Sequence, residues 1–203
     1  MPNYEVISNF YDLLDTVYFK RKEHSPRTAM LNMIPDKPIR VLDICAGTCS
    51  NSVLIAQNKK QAKVTALDSS AKMLDTAKTK FSQHNISNIE TIVADVRYSG
   101  FPPQSFDVII VSLILHEVSE SMRKVILSES KRLLNDNGNI IVIEWEQPVS
   151  LRQKFLFALI KLIEPRGFRD FLKLNLTAYF EQAGFKVIET RNCDYTKVYR
   201  LSK

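Results

Sequence analysis

The stretch Val41-Leu42-Asp43-Ile44-Cys45-Ala46-Gly47-Thr48-Cys49-Ser50-Asn51-Ser52 reads as an apolar strand, a tight turn of small residues and the start of a helix. A strand that is apolar on both faces must be covered on both, which implies a parallel sheet between helical layers. The same alternation recurs further along the chain. Val64–Leu67 is a second short apolar run, and Leu74, Ala77 and Phe81 at spacings of three and four predict a helix over 70–81. Ile89–Ala94 and Val108–Val111 read as buried strands. A helix over 120–134 carries Met122, Val125, Ile126, Leu133 and Leu134 on one side, with Asn135-Asp136-Asn137-Gly138 as its stop signal. Asn139–Glu144 is another strand. Phe185–Thr190 and Lys197–Leu201, joined by the polar Arg191-Asn192-Cys193-Asp194, suit an antiparallel pair. The expected fold class is α/β, a doubly wound and mostly parallel sheet with an antiparallel C-terminal edge hairpin. Two helical segments precede the first strand, around Tyr4–Phe19 and around Pro26–Met33.

The 203 residues fit one domain, and 45% hydrophobic with 25% charged residues excludes a disordered or fibrous chain. The longest nearly unbroken apolar run, Val108 to Leu115, falls far below the roughly 20 residues of a membrane span. Glu5, Asp12 and Asp15 stand where a secretory signal needs a basic start and an apolar core. The odd count of 3 cysteines fits a reduced protein, so a cytoplasmic location is expected. The net charge of +6 is uneven, because residues 147–203 hold 11 Lys/Arg against 5 Asp/Glu and the rest of the chain balances. A solvated basic face accounts for that, and an anionic partner on that side is the sharper reading.

Ligands of doubly wound sheets bind at the carboxyl ends of the strands, where strand order reverses. Asp68 ends the second strand, about 20 residues after the small-residue turn, where a carboxylate can accept hydrogen bonds from both ribose hydroxyls of a nucleoside. The plainer alternative is that Asp68 or Ser69 caps the following helix. Asp95 ends the third strand, where it can accept from an adenine amino group while the Val96 N–H serves the ring. Its alternative is an acid that opens a loop. Cys45 and Cys49 have no third cysteine near them, and structural zinc takes four ligands, so no metal site is expected.

With these acids in place, and Phe106-Asp107 opening the fourth strand, the chain resembles the class I S-adenosylmethionine (SAM)-dependent methyltransferases over nearly its whole length. Asp43-Ile44-Cys45-Ala46-Gly47-Thr48-Cys49 is similar to the family's first motif, an acid followed by small residues and glycines. Asp68-Ser69-Ser70-Ala71-Lys72-Met73-Leu74 resembles its ribose motif, and Asp95 its adenine-contacting acid. Phe10-Tyr11-Asp12-Leu13 and Leu113-Ile114-Leu115-His116-Glu117-Val118 are most similar to the menaquinone and ubiquinone C-methyltransferase subgroup. The resemblance implies a Rossmann-like, seven-stranded sheet and SAM as cofactor, with S-adenosylhomocysteine as product. It implies cofactor contacts from Tyr11, Asp43, Ala46, Gly47, Asp68, Ser69, Met73, Asp95, Val96 and Ser112. Cys45 and Cys49 stand where the family usually has glycine. Cysteine does not take φ > 0 cheaply, so both positions are expected to need no positive φ here.

His116, after the fourth strand, is the candidate catalytic base on the acceptor side. A local hydrogen bond at a helix start is its alternative role. Glu117 is its neighbour, and adjacent side chains are expected to point apart, so at most one of the two is expected to reach the substrate; Glu144 and Glu146 around Trp145 are weaker candidates. Residues 1–38 are expected as a helical lid, with Tyr11 and Tyr18 closing over the cofactor, and 147–180 as a helical acceptor-side insertion within a single domain. The expected activity is methyl transfer to a small, hydrophobic, lipid- or quinone-like acceptor. Rivals are an RNA methyltransferase and a non-catalytic SAM-binding protein. An NAD-dependent oxidoreductase fits neither the glycine pattern nor the terminal hairpin. No nucleic-acid partner is expected, since Ser112-Leu113-Ile114-Leu115 follows the fourth strand and no RNA-binding appendage is visible. Apolar residues interleaved with bases over 149–174 suit contact with an anionic membrane surface, or else plain packing with solvated bases. Oligomeric state is not legible.

Overall fold

In a computed structural model, residues 25–148, 153–154, 157–158 and 167–203 are described. Tyr11, Tyr18, the segment around Tyr4–Phe19 and much of 149–174 lie outside the described residues. Strand β1 (Arg40–Ile44) starts at an exposed arginine and continues into four buried residues, as its apolar run requires. Helix α1 (Pro26–Met33) precedes it, with proline in its first turn, where the missing N–H costs nothing. After β1 come α2 (Ser50–Asn58), β2 (Lys63–Asp68), α3 (Ala71–Gln83) and β3 (Ile89–Val93). A single 3-10 turn, Val96–Tyr98, leads to β4 (Phe106–Ser112), α4 (Glu120–Leu133) and β5 (Leu134–Trp145). The chain ends with α5 (Phe168–Phe171), α6 (Leu176–Gln182), β6 (Lys186–Cys193) and β7 (Thr196–Ser202).

The seven strands form one sheet in the order β3-β2-β1-β4-β5-β7-β6. β1 to β5 pair in parallel, and β7 runs antiparallel between β5 and β6. This is the expected doubly wound sheet with an antiparallel edge. Strand order reverses between β1 and β4, which opens a crevice at their carboxyl ends.

Both faces of the sheet are covered. Leu42, Ile109, Val111, Ile140 and Val142 pack on one side with Ile126, Leu127 and Phe180 from the helices. Val41, Ile110, Ile141 and Ile143 pack on the other with Met30, Met33 and Ile55. Each such fully buried aliphatic chain stabilises the fold by about 1.5–3 kcal/mol. Helix α1 is tied into this second core, and residues 1–24 of the expected lid lie outside the described residues.

A second difference lies at Asn135–Gly138. These residues do not form a turn after α4; they are the first part of β5, which begins directly at Leu134. The register with β4 shifts between Phe106↔Leu134 and Val108↔Asn139. The Asn135 amide donates to Asp107, whose other oxygen accepts the Arg40 N–H at 2.7 Å. A Cβ on Gly138 would lie 2.7 Å from the Asp107 carbonyl oxygen, so only glycine allows this close approach. The stop signal has become a bulge that seats β5 against β4.

Candidate active site at the carboxyl ends of the strands

Four strand ends converge on the crevice. The β1–α2 turn is held from below by the Ala46 N–H, which donates to the Leu67 carbonyl at 3.0 Å. Asp68, the last residue of β2, accepts the Gly47 N–H on one oxygen and the Ser70 N–H on the other, both at 2.8 Å. The carboxylate thereby locks the small-residue turn to the start of α3. Each oxygen keeps a further acceptor site, because an ionised carboxylate has about four. The cap of α3 is Ser70, whose Oγ accepts the Met73 N–H at 3.4 Å; neither Asp68 nor Ser69 fills that role. Ser69 lies exposed beside it.

Gly47 takes φ 54°, and a Cβ there would meet only Met73 Cε, at 3.7 Å. The turn is therefore an open ledge of backbone with a methionine beside it. Cys45 and Cys49 also take left-handed φ, 56° and 58°. This overturns the expectation that these positions do not need it. The turn geometry is set by the Asp68 and Leu67 hydrogen bonds, and the cysteines follow it at a cost of roughly 1–2 kcal/mol each. Burial and the neighbouring Asp68 and Asp43 push the Cys45 thiol up to about 12; burial, then Asp43, pushes Cys49 up as well. Cys49 packs with Ala66, Leu74 and Ala77, and Cys45 packs against the main core; protonated thiols are poor nucleophiles and poor metal ligands. Among the described residues no group of three or more His, Cys, Asp or Glu could hold a metal ion. Cys45→Gly is expected to raise stability by about 1 kcal/mol, seen as a higher urea midpoint, and Cys45→Val to lower it.

Asp43 is 2% exposed and accepts the Ser52 hydroxyl at 2.6 Å, which ties β1 to α2. Burial raises its pKa to about 6, partly offset by the Ser52 bond. Asp95 caps the 3-10 turn through the Arg97 N–H at 2.9 Å, and its oxygens are also forked by the Arg97 guanidinium at 2.6–3.1 Å. That hydrogen bonding holds the carboxyl below its usual range. The loop-opening alternative is thus realised at Asp95, and an adenine contact there must share the carboxylate with Arg97. Val96 is buried in the core behind it.

On the other side of the crevice, β4 ends at Ser112, and Leu113 takes φ 53°. The strained residue turns the chain so that His116 comes back against β5. His116 is 1% exposed, and its Nδ1 lies 2.8 Å from Glu144 Oε2. Glu144 is fully buried and also accepts the Leu115 N–H at 2.6 Å and the Trp145 N–H at 3.3 Å. Phe168 and Phe171 stand edge-on to the imidazole, at 5.5 and 6.0 Å between ring centres. Glu144 was a weak candidate from sequence, because its strand reads as plain core; the available signal was an acid embedded in an apolar run. Leu113 carried no signal.

A family profile described as a methyltransferase domain matches residues 41–138. The demethylmenaquinone methyltransferase of Listeria monocytogenes serotype 4a is 31% identical over 147 residues, 71% of this chain and 61% of that protein. The chain therefore spans less than two thirds of that relative. The demethylmenaquinone methyltransferase of Bacillus cereus strain ATCC 10987 is 24% identical over 209 residues, 93% of this chain and 87% of the relative. A SAM-dependent methyltransferase from Aquifex aeolicus shares the fold with a TM-score of 0.69 at 19% identity, covering 87% and 88% of the two chains. The 1,6-didemethyltoxoflavin-N1-methyltransferase of Burkholderia thailandensis, solved with S-adenosylhomocysteine, gives 0.67 at 15% identity, covering 98% and 86%.

Proposed function

We propose that this chain is a class I SAM-dependent methyltransferase and that it transfers a methyl group from SAM to a small, hydrophobic, quinone-like acceptor. The observation that carries the cofactor reading is Asp68. Its carboxylate, at the end of β2 next to the crevice, is pinned by two backbone N–H groups, with acceptor capacity to spare beside an open backbone ledge. That donor and acceptor set fits a nucleoside. Asp68 would hold the ribose hydroxyls, Met73 would flank the base, the Val96 N–H would serve its ring, and the Gly47 ledge would lie along the amino-acid part. Asp43, Ala46, Ser69, Asp95 and Ser112 complete the proposed set, with Tyr11 from outside the described residues.

SAM supplies a methyl group already activated by its sulfonium charge, so the protein's contribution is mostly orientation and exclusion of water. His116 supplies the base where the acceptor must lose a proton. In the tautomer in which Nδ1 of His116 donates to Glu144, the lone pair is on Nε2. The carboxylate also stabilises the imidazolium formed when that atom takes a proton. A quinone-like acceptor is supported by the names of the Listeria and Bacillus relatives and by the aromatic rings around His116.

Calorimetry with SAM, followed by transfer of a deuterated methyl group to a demethylated naphthoquinol detected by mass spectrometry, tests the proposal. Absence of SAM binding defeats it. His116→Ala is expected to lower kcat by 10²-fold or more while changing SAM affinity less than about three-fold. A collapse of SAM binding in that variant makes the histidine structural. Contact of 149–174 with an anionic lipid surface belongs to the same proposal, and co-sedimentation with anionic and neutral vesicles at low and high salt tests it. Among the described residues no helix is long and apolar enough to cross a membrane.

A further inference from the structure

Trp145 ends β5 at the crevice, next to Glu144 and opposite His116. Its side chain is buried, at 3% exposure, and its Nε1 has no hydrogen-bond partner. Around it stand Phe157 at 5.9 Å, Phe168 at 6.3 Å and the His116 ring at 6.4 Å between ring centres, with Tyr195 stacked on Phe157. Nearby, Glu144 accepts from Leu115, His116 and the Trp145 backbone, and the Tyr195 carbonyl accepts the Glu146 N–H at 2.8 Å. A phenylalanine at 145 would fill an aromatic compartment without leaving a desolvated donor unpaired, which is a costly arrangement. Among the described residues, Asn135 Oδ1, Tyr179 Oη and Arg200 Nε are also buried without a hydrogen bond, and these three come from residues that are not at the carboxyl ends of the parallel strands.

We propose that the Trp145 indole N–H is the hydrogen-bond donor to an oxygen of a flat aromatic methyl acceptor, which the surrounding rings clasp. This rests on the methyltransferase reading and narrows it. The acceptor carries an oxygen on an aromatic or quinonoid ring. Ring walls suit a planar π-system, and Trp is the side chain that adds one donor and no acceptor to such a wall. An aliphatic acceptor, or an aromatic hydrocarbon, leaves the donor unpaired and gains less.

The chain holds 1 tryptophan, so its emission reports on this position alone. The probes are 2,3-dimethyl-1,4-naphthoquinone, which cannot alkylate thiols by simple addition, and 2,3-dimethylnaphthalene, the same ring system without oxygens. With S-adenosylhomocysteine present, the quinone is expected to quench Trp145 saturably and to bind about ten-fold tighter than the hydrocarbon, or about 1.4 kcal/mol. Trp145→Phe is expected to lose that preference, measured by calorimetry, while its melting temperature rises because the orphaned donor is gone. A wild-type protein that binds neither probe, or both equally, overturns the proposal whatever the variant does. So does a Trp145→Phe variant that keeps the ten-fold preference. Loss of S-adenosylhomocysteine binding by the wild type instead defeats the underlying methyltransferase reading, so the two failures are distinct.

Discussion

Replacing Asp68 with alanine is expected to weaken SAM binding by about 3 kcal/mol, on the order of a hundred-fold in Kd. Two ribose hydroxyls lose an ionised acceptor, and hydrogen bonds to charged groups contribute about 1.5 kcal/mol or more each. The same change releases the Gly47 and Ser70 N–H groups that the carboxylate holds, so the ledge loses its fixed shape as well. Asp68→Asn separates the two effects. Its single amide oxygen can still accept, so it should lose less affinity than the alanine variant. Titration calorimetry on the three proteins reads this directly, and equal affinities for wild type and Asp68→Ala would remove Asp68 from the site.

The second large effect concerns stability and pH. Asp43 has a folded pKa of about 6, raised by burial, against about 3.9 in the unfolded chain. The folded state therefore holds the proton more tightly than the unfolded state does. Below about pH 4 the group is neutral in both states and costs nothing. As pH rises through 6 the native carboxyl must ionise in its buried position, and stability falls by about 3 kcal/mol before levelling off. Asp43→Asn lacks this loss. Its unfolding free energy relative to wild type should grow by about 3 kcal/mol between pH 4 and pH 7, measured by urea unfolding of cofactor-free protein. Comparing the two proteins cancels the other titrating groups. A difference that stays constant over that range would mean that Asp43 is better solvated than its burial implies.

That a costly buried acid sits at the end of β1 accords with where other strain collects. Cys45, Cys49 and Leu113 are non-glycine residues with φ of 53–58°, and all three lie just beyond the carboxyl ends of β1 and β4. Strain of this kind persists where the surroundings over-determine the backbone, and active sites are where it clusters. The other described non-glycine residues with left-handed φ, Asn85, Gln104 and Asp194, lie in turns away from these strand ends.

The sequence by itself determined the layered α/β fold, because fully apolar strands alternating with amphipathic helices have few other ways to bury themselves. It also determined the antiparallel ending and the positions of Asp68 and Asp95 at two successive strand tips, since a strand's end is legible where its apolar run stops. Tertiary structure alone decided what those acids and Asp43 touch. Arg97 folds back onto Asp95, Ser52 reaches Asp43, and Gly47 and Ser70 share Asp68. It alone turned Asn135–Gly138 from a stop into a bulge, through Asp107 on the neighbouring strand. It also forced cysteines into a conformation that their own propensity opposes. Glu144 and Trp145 came beside His116 only when β5 was laid beside β4, which puts Glu144 Oε2 2.8 Å from Nδ1 of His116 across 28 residues of chain. Periodicity reports which face a residue occupies. Partners far along the chain are chosen by sheet order and register, which no local pattern encodes.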